Sequence, residues 1–150
     1  MNRKGLELLT GLLGMLRALK WYYWNSHWMS KGKPYYGDHL MFERLYSEEI
    51  NEQIDNLAEK ITTYDANILG SMLMLDAFNG FLKPSSGRVM EGNDFFHHAL
   101  QMERHFQSSI KQVYTILKSE NSLSLGLDDY LMTLANQRET ALYLLQQRTR

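Results

Sequence analysis

Residues 27–60 read HWMSKGKPYYGDHLMFERLYSEEINEQIDNLAEK. The tetrapeptide KGKP at 31–34 carries Gly32 and Pro34, the two residue types that end helices, so a helix before it and a helix after it are joined by a short turn. From about Tyr36 to Tyr64 the apolar spacing is helical. Within that run His39 and Glu43 are four residues apart, as are Asp55 and Glu59, so each pair projects from one helix face. One irregularity stands out. Phe42, Tyr46, Ile50 and Ile54 follow three successive steps of four, and at 100° per residue that stripe drifts roughly 120° before Leu57 and Ile61 resume ordinary spacing. A seam facing one partner cannot follow such drift unless the helix curls or absorbs one extra residue as a wide turn.

Working outward, Leu6, Leu9, Leu13, Leu16 and Lys20 form a stripe widened by Leu12 and Leu19, with Glu7, Thr10 and Arg17 facing away. The spacing predicts a first helix to about Ser30, a third over Asn93–Glu120 and a fourth over Leu125–Arg148, with Asn93 and Ser124 as N-caps. Between the second and third helices Ala66–Phe81 is apolar enough for a shorter packed helix. No segment alternates with the two-residue period of a strand. The fold class is therefore all-α: one domain over residues 1–150, a four-helix bundle with a short extra helix in the long connection between helices 2 and 3. That topology suits ferritin-like folds.

Composition narrows the chemistry. With 150 residues, 44% hydrophobic and 22% charged, the chain has the apolar content to build a core, which argues against disorder. Lys and Arg total 16 against 17 Asp and Glu, so a net charge of -1 gives no global field to hold nucleic acid or an acidic membrane. The absence of cysteine excludes disulfides, thiolate nucleophiles and thiolate metal sites, so any metal must be held by His, Asp and Glu. The Leu6–Leu19 run is broken by Glu7 and Arg17 and is followed by no small-residue cleavage site, and no uncharged stretch is long enough to span a bilayer. A soluble cytoplasmic protein is expected.

Imidazole together with carboxylates suits iron, manganese or zinc. Carboxylates four apart are also the ordinary solvated face of a bundle helix, so the pairs alone do not make a site. His27, set between Trp24 and Trp28, is more telling, because a buried polar ring requires a partner. His97, His98 and His105 read as surface or interface residues, since no carboxylate completes a constellation around them. Trp21, Tyr22, Tyr23, Trp24 and Trp28 read as core or subunit contact, and the methionines as core filler.

Residues 27–60 also resemble the signature region of the Dps-type miniferritins. The matching positions are His27-Trp28, Gly32 five residues after that histidine, His39 twelve after it, Glu43 four further on, and Asp55-x-x-x-Glu59 before Lys60. Phe42, Leu45 and Tyr46 match by type. The resemblance implies an iron oxidation centre at a two-fold subunit interface, with His27, His39 and Glu43 from one chain, Asp55 and Glu59 from its neighbour, and Trp28 beside the ligands. Ferritins with the site inside one bundle use Glu-x-x-His; here Glu43, Glu59 and Glu103 are followed three residues on by Tyr46, Thr62 and Phe106.

The chain departs from the family twice. Glu43 stands where the family has Asp, and Glu43 to Asp55 is twelve residues where the family has eleven. A π-bulge within Ser47–Gln53 is expected to absorb the extra residue, since otherwise Asp55 and Glu59 turn by about 100°. What the resemblance then implies is a homo-oligomer, a dodecamer in the family, that binds Fe(II) at di-iron or mono-iron sites, oxidises it with hydrogen peroxide, stores it and protects against oxidative damage. Other divalent metals are admissible ligands. The alternatives are a ferritin-like structural or adaptor oligomer without turnover and, more weakly, a non-specific DNA-compacting protein. DNA binding is expected to be weak or absent, because only Asn2, Arg3 and Lys4 precede the first helix and Arg148 and Arg150 end the last.

Overall fold

The computed structural model describes residues 1–88 and 90–150. Six α-helices occur among them: α1 Arg3–Met29, α2 Tyr35–Tyr46, α3 Glu48–Asp65, α4 Met72–Leu82, α5 Asn93–Ser119 and α6 Leu125–Thr149. Short 3-10 turns cover Ala66–Gly70 and Lys83–Ser85, and no strand occurs among the described residues. The bundle comprises α1, the α2–α3 unit, α5 and α6. The short helix in the connection, α4, lies across α1, where Gly14 allows the crossing: a Cβ there would come 2.9 Å from the Ala77 Cβ. Leu9, Leu16, Leu19, Phe42, Leu57, Ile61, Phe106, Leu117, Leu134 and Leu145 form a continuous buried core.

Ser124 caps α6 by accepting from the Leu127 N–H, as its sequence position suggests. Asn93 does not cap α5. Gly92, at φ +52°, is the cap, and the Asn93 side chain instead accepts from Arg148. His98 is also not a surface residue: it is buried against the Tyr22 ring. The aromatic run divides by helix face, with Tyr22 and Tyr23 in the core and Trp21, Trp24 and Trp28 exposed.

The extra residue in the second helix is taken up at the expected place but in a different form. No π-turn occurs between residues 43 and 55; the helix breaks at Ser47, whose φ and ψ are -81° and -139°. From Phe42 onward the buried positions are Phe42 and Leu45 in α2 and Ile50, Gln53, Leu57 and Ile61 in α3. As numbered, they are spaced 3, 5, 3, 4 and 4; with Ser47 left out of the count the spacing becomes 3, 4, 3, 4 and 4, an unbroken helical seam. Ser47 is thus the supernumerary residue. A break is favoured over a bulge for local reasons. The Ser47 hydroxyl bonds back to the Arg44 carbonyl, and Glu48 and Glu49 place negative charge at the start of a new helix, where the dipole favours it.

Candidate metal centre

His27 lies in the last turn of α1 and His39 in the second turn of α2. The turn between them depends on Gly32, whose φ of +82° would strain any other residue. The reversal brings the two imidazoles face to face, with ring centroids 3.5 Å apart and planes 21° off parallel. Their hydrogen bonds are reciprocal: Nδ1 of His27 lies 2.8 Å from the His39 carbonyl oxygen, and Nδ1 of His39 lies 2.9 Å from the His27 carbonyl oxygen. A carbonyl can only accept, so both Nδ1 atoms carry the proton and, in the neutral rings, both Nε2 atoms present a bare lone pair. This is how protein metal sites orient a histidine ligand, with the nitrogen opposite the metal donating to a fixed acceptor.

Aromatic rings enclose the pair. Tyr46 meets His27 edge-on at 5.2 Å and stacks on Trp24 at 5.5 Å, while Tyr35 lies 5.0 Å from His39. Trp28 packs against Trp24. Glu43, one turn beyond His39, is exposed. The Tyr46 phenol is pushed up by desolvation and, secondarily, by the Glu43 charge.

Asp55 and Glu59 are exposed on α3 and line two different clefts. Asp55 shares one of about 690 Å³ with Arg17, Lys20, Trp21 and Trp24. Glu59 faces another, with Asn56, Lys60 and Tyr130. Among the described residues no three His, Asp or Glu side chains come together within one chain as a metal would require. The chain therefore unites His27 with His39, sets Glu43 next along the same helix, and leaves Asp55 and Glu59 facing outward.

The bundle interior holds a different polar cluster. Glu103 accepts from the Tyr23 hydroxyl at 2.6 Å and from Arg138 Nη2 and Nε at 2.6 and 3.1 Å, with all three side chains buried. Burial lowers the Arg138 pKa, but the Glu103 charge and hydrogen bonds outweigh it and the net direction is up; burial first, then Glu103, pushes Tyr23 up as well. Di-iron bundles hold their metal with inward-facing carboxylates; here the inward-facing Glu103 is paired with a guanidinium and a tyrosine hydroxyl instead. Neither this triad nor the partner of Asp38, Arg148, was legible in the sequence, because their members lie 35 to 110 residues apart with no local spacing signal.

A family model for the ferritin-like domain matches residues 6–144. Among solved structures, Dps from Staphylococcus aureus superposes with a TM-score of 0.81 at 16% identity, covering 99% of this chain and 97% of that one. Dps from Vibrio cholerae O1, a member of a broad superfamily of ferritin-like diiron-carboxylate proteins, gives 0.80 at 19% identity over 99% and 90%. Dps from Thermosynechococcus elongatus gives 0.78 at 20% identity over 96% and 88%. No protein of curated function matches the sequence significantly. At these identities the structural matches speak for the fold, which is the one shared by Dps proteins. The family model, running from the first helix into the last, carries the assignment further: this chain belongs to the ferritin-like family.

Proposed function

We propose that the protein is a Dps-like miniferritin that binds Fe(II) at sites shared between two subunits, oxidises it with hydrogen peroxide and stores the product. The observation that carries this reading is the reciprocal His27–His39 pair, whose hydrogen bonds fix both tautomers with Nε2 free for metal. Two imidazoles and the Glu43 carboxylate are too few to hold and stabilise Fe(III), so further oxygen ligands are needed. Asp55 and Glu59 of a second copy supply them. Leaving Ser47 out of the helical count reduces the Glu43–Asp55 separation to eleven helical steps, the spacing of the resembling family, which supports a retained site.

A second copy also accounts for apolar surface that an isolated chain would leave in water. Trp21, Trp24 and Trp28 are 54%, 41% and 63% exposed along one side of α1. Arg17 and Lys20 beside Asp55 give that face both signs of charge. In the reaction two Fe(II) each give one electron, the O–O bond of one peroxide is split, and with two protons it leaves as two waters. Fe(III) then hydrolyses and releases protons as mineral forms. The protein is expected to act without crossing a membrane, as no helix among the described residues is long and apolar enough to do so.

Anaerobic Fe(II) titration followed by peroxide tests the reading. It expects saturable binding, one peroxide consumed per two Fe(II), and loss of both in His27→Ala/His39→Ala. Absence of saturable binding in the wild-type oligomer would replace it with the structural-oligomer alternative.

A further inference from the structure

The helix that carries His39 is poorly anchored by its own sequence. α2 has twelve residues, no side-chain cap at Pro34 and only the 3.3 Å bond from the Ser47 hydroxyl to the Arg44 carbonyl at its other end, and only Asp38, Phe42 and Leu45 are buried. Its position must be set from outside. Arg148, in the last turn of α6, reaches Asp38 with both arms of the guanidinium: Nε lies 2.8 Å from Oδ1 and Nη2 3.1 Å from Oδ2. The remaining arm, Nη1, donates to the Asn93 side-chain oxygen at 2.6 Å, which adds the first turn of α5. The face of the same guanidinium lies 4.5 Å from the Phe96 ring, and Phe96 stacks on Phe42 with centroids 4.6 Å apart and planes 16° off parallel.

Asp38 immediately precedes His39 and Phe42 is three residues after it, so one guanidinium holds the residues on both sides of the histidine. We infer that Arg148 is a positioning residue for the metal centre, fixing α2 so that the His39 ring stays against the His27 carbonyl; the inference rests on the reading above. The fork is the reason for arginine rather than lysine. Two parallel bonds to one carboxylate set both distance and angle, while an ammonium sets distance alone. With both oxygens engaged, Asp38 also cannot swing toward a metal beside it.

The test compares Arg148→Met, Arg148→Lys and Leu117→Ala oligomers, the last being a core truncation about 30 Å along α5 from Phe96, at a temperature where all are folded. One readout is anaerobic Co(II) binding, followed by its visible absorption. The other is hydrogen exchange over residues 35–46 without metal. Arg148→Met should weaken Co(II) binding about tenfold and speed exchange in α2, Arg148→Lys should recover part of both, and Leu117→Ala should change neither. Unchanged exchange and affinity in Arg148→Met would overturn the inference. So would faster α2 exchange with wild-type affinity, which would make the clamp structural only. Failure of the wild-type oligomer to bind Co(II) would instead overturn the metal reading itself, while the exchange data would still report whether Arg148 fixes α2.

Discussion

Arg138→Met removes the cation from the bundle centre and leaves the buried Glu103 carboxylate with the Tyr23 hydroxyl as its remaining partner. Glu103 has no exposed surface and Arg138 is 3% exposed, so no water can take over the two bonds that the guanidinium made. Breaking a buried pair from one side costs about 3–5 kcal/mol, because the remaining charge is stranded. For a chain of this length each kcal/mol moves the melting temperature by about 2–4 °C, so a drop of roughly 10–15 °C is expected. Removing the whole cluster is a different perturbation. Glu103→Leu/Arg138→Met/Tyr23→Phe leaves no orphaned polar group, since the tyrosine hydroxyl goes with its acceptor, and such replacements are neutral or stabilising by about 1–4 kcal/mol. Thermal melts by circular dichroism at one fixed protein concentration measure both, since any self-association would add to stability. The reasoning fails if Arg138→Met melts within about 3 °C of wild type, or if the triple variant is as destabilised as the single one.

Deleting Ser47 should join α2 and α3 into one helix with an unbroken seam; circular dichroism should show helix content held or raised, and loss of cooperative unfolding would refute the assignment of Ser47 as the extra residue. His98 is held below its ordinary pKa of 6.5 by burial and then by Arg88. The unfolded chain therefore takes up this proton first as pH falls below 6.5, and stability is lost from there down to the folded-state value. Melting temperatures measured on either side of that window should fall on acidification and fall less in His98→Gln; equal slopes would contradict it. Retardation of DNA in a gel should disappear by about 0.2 M salt, because a chain of net charge -1 offers only weak phosphate contacts, which fall off steeply over that range; a shift that persists would favour the DNA-compacting alternative.

The bundle was legible because its evidence is local. Leu6 to Leu19, Phe95 to Leu117 and Leu127 to Leu145 each repeat at helical spacing, and Pro34, Gly32 and Ser124 mark the ends. The Ser47 irregularity was visible as a drifting stripe, yet the choice between bulge and break depended on a side-chain bond to Arg44 that periodicity does not encode. His27 and His39 were legible as candidates, but not their tautomers, which depend on carbonyls that approach only once the Gly32 turn is made. Nothing local in the sequence singles out Glu103, Arg138 or Arg148, because burial of an ion pair is a tertiary event. Asn93 illustrates the same limit: its type fits a cap, but Arg148 competes for its oxygen and Gly92 accommodates the cap conformation.

Subunit mixing decides whether the proposed oxidation site is built from two chains. His27→Ala/His39→Ala and Asp55→Ala/Glu59→Ala oligomers should each lack peroxide-driven Fe(II) oxidation. When the two are unfolded together and reassembled, interfaces pairing the mutated halves with each other leave intact histidines opposite intact carboxylates at the second site, so activity should return to a fraction set by random pairing. Activity in either parent alone, or none in the reassembled mixture once mass spectrometry shows mixed oligomers, would contradict a site shared between subunits.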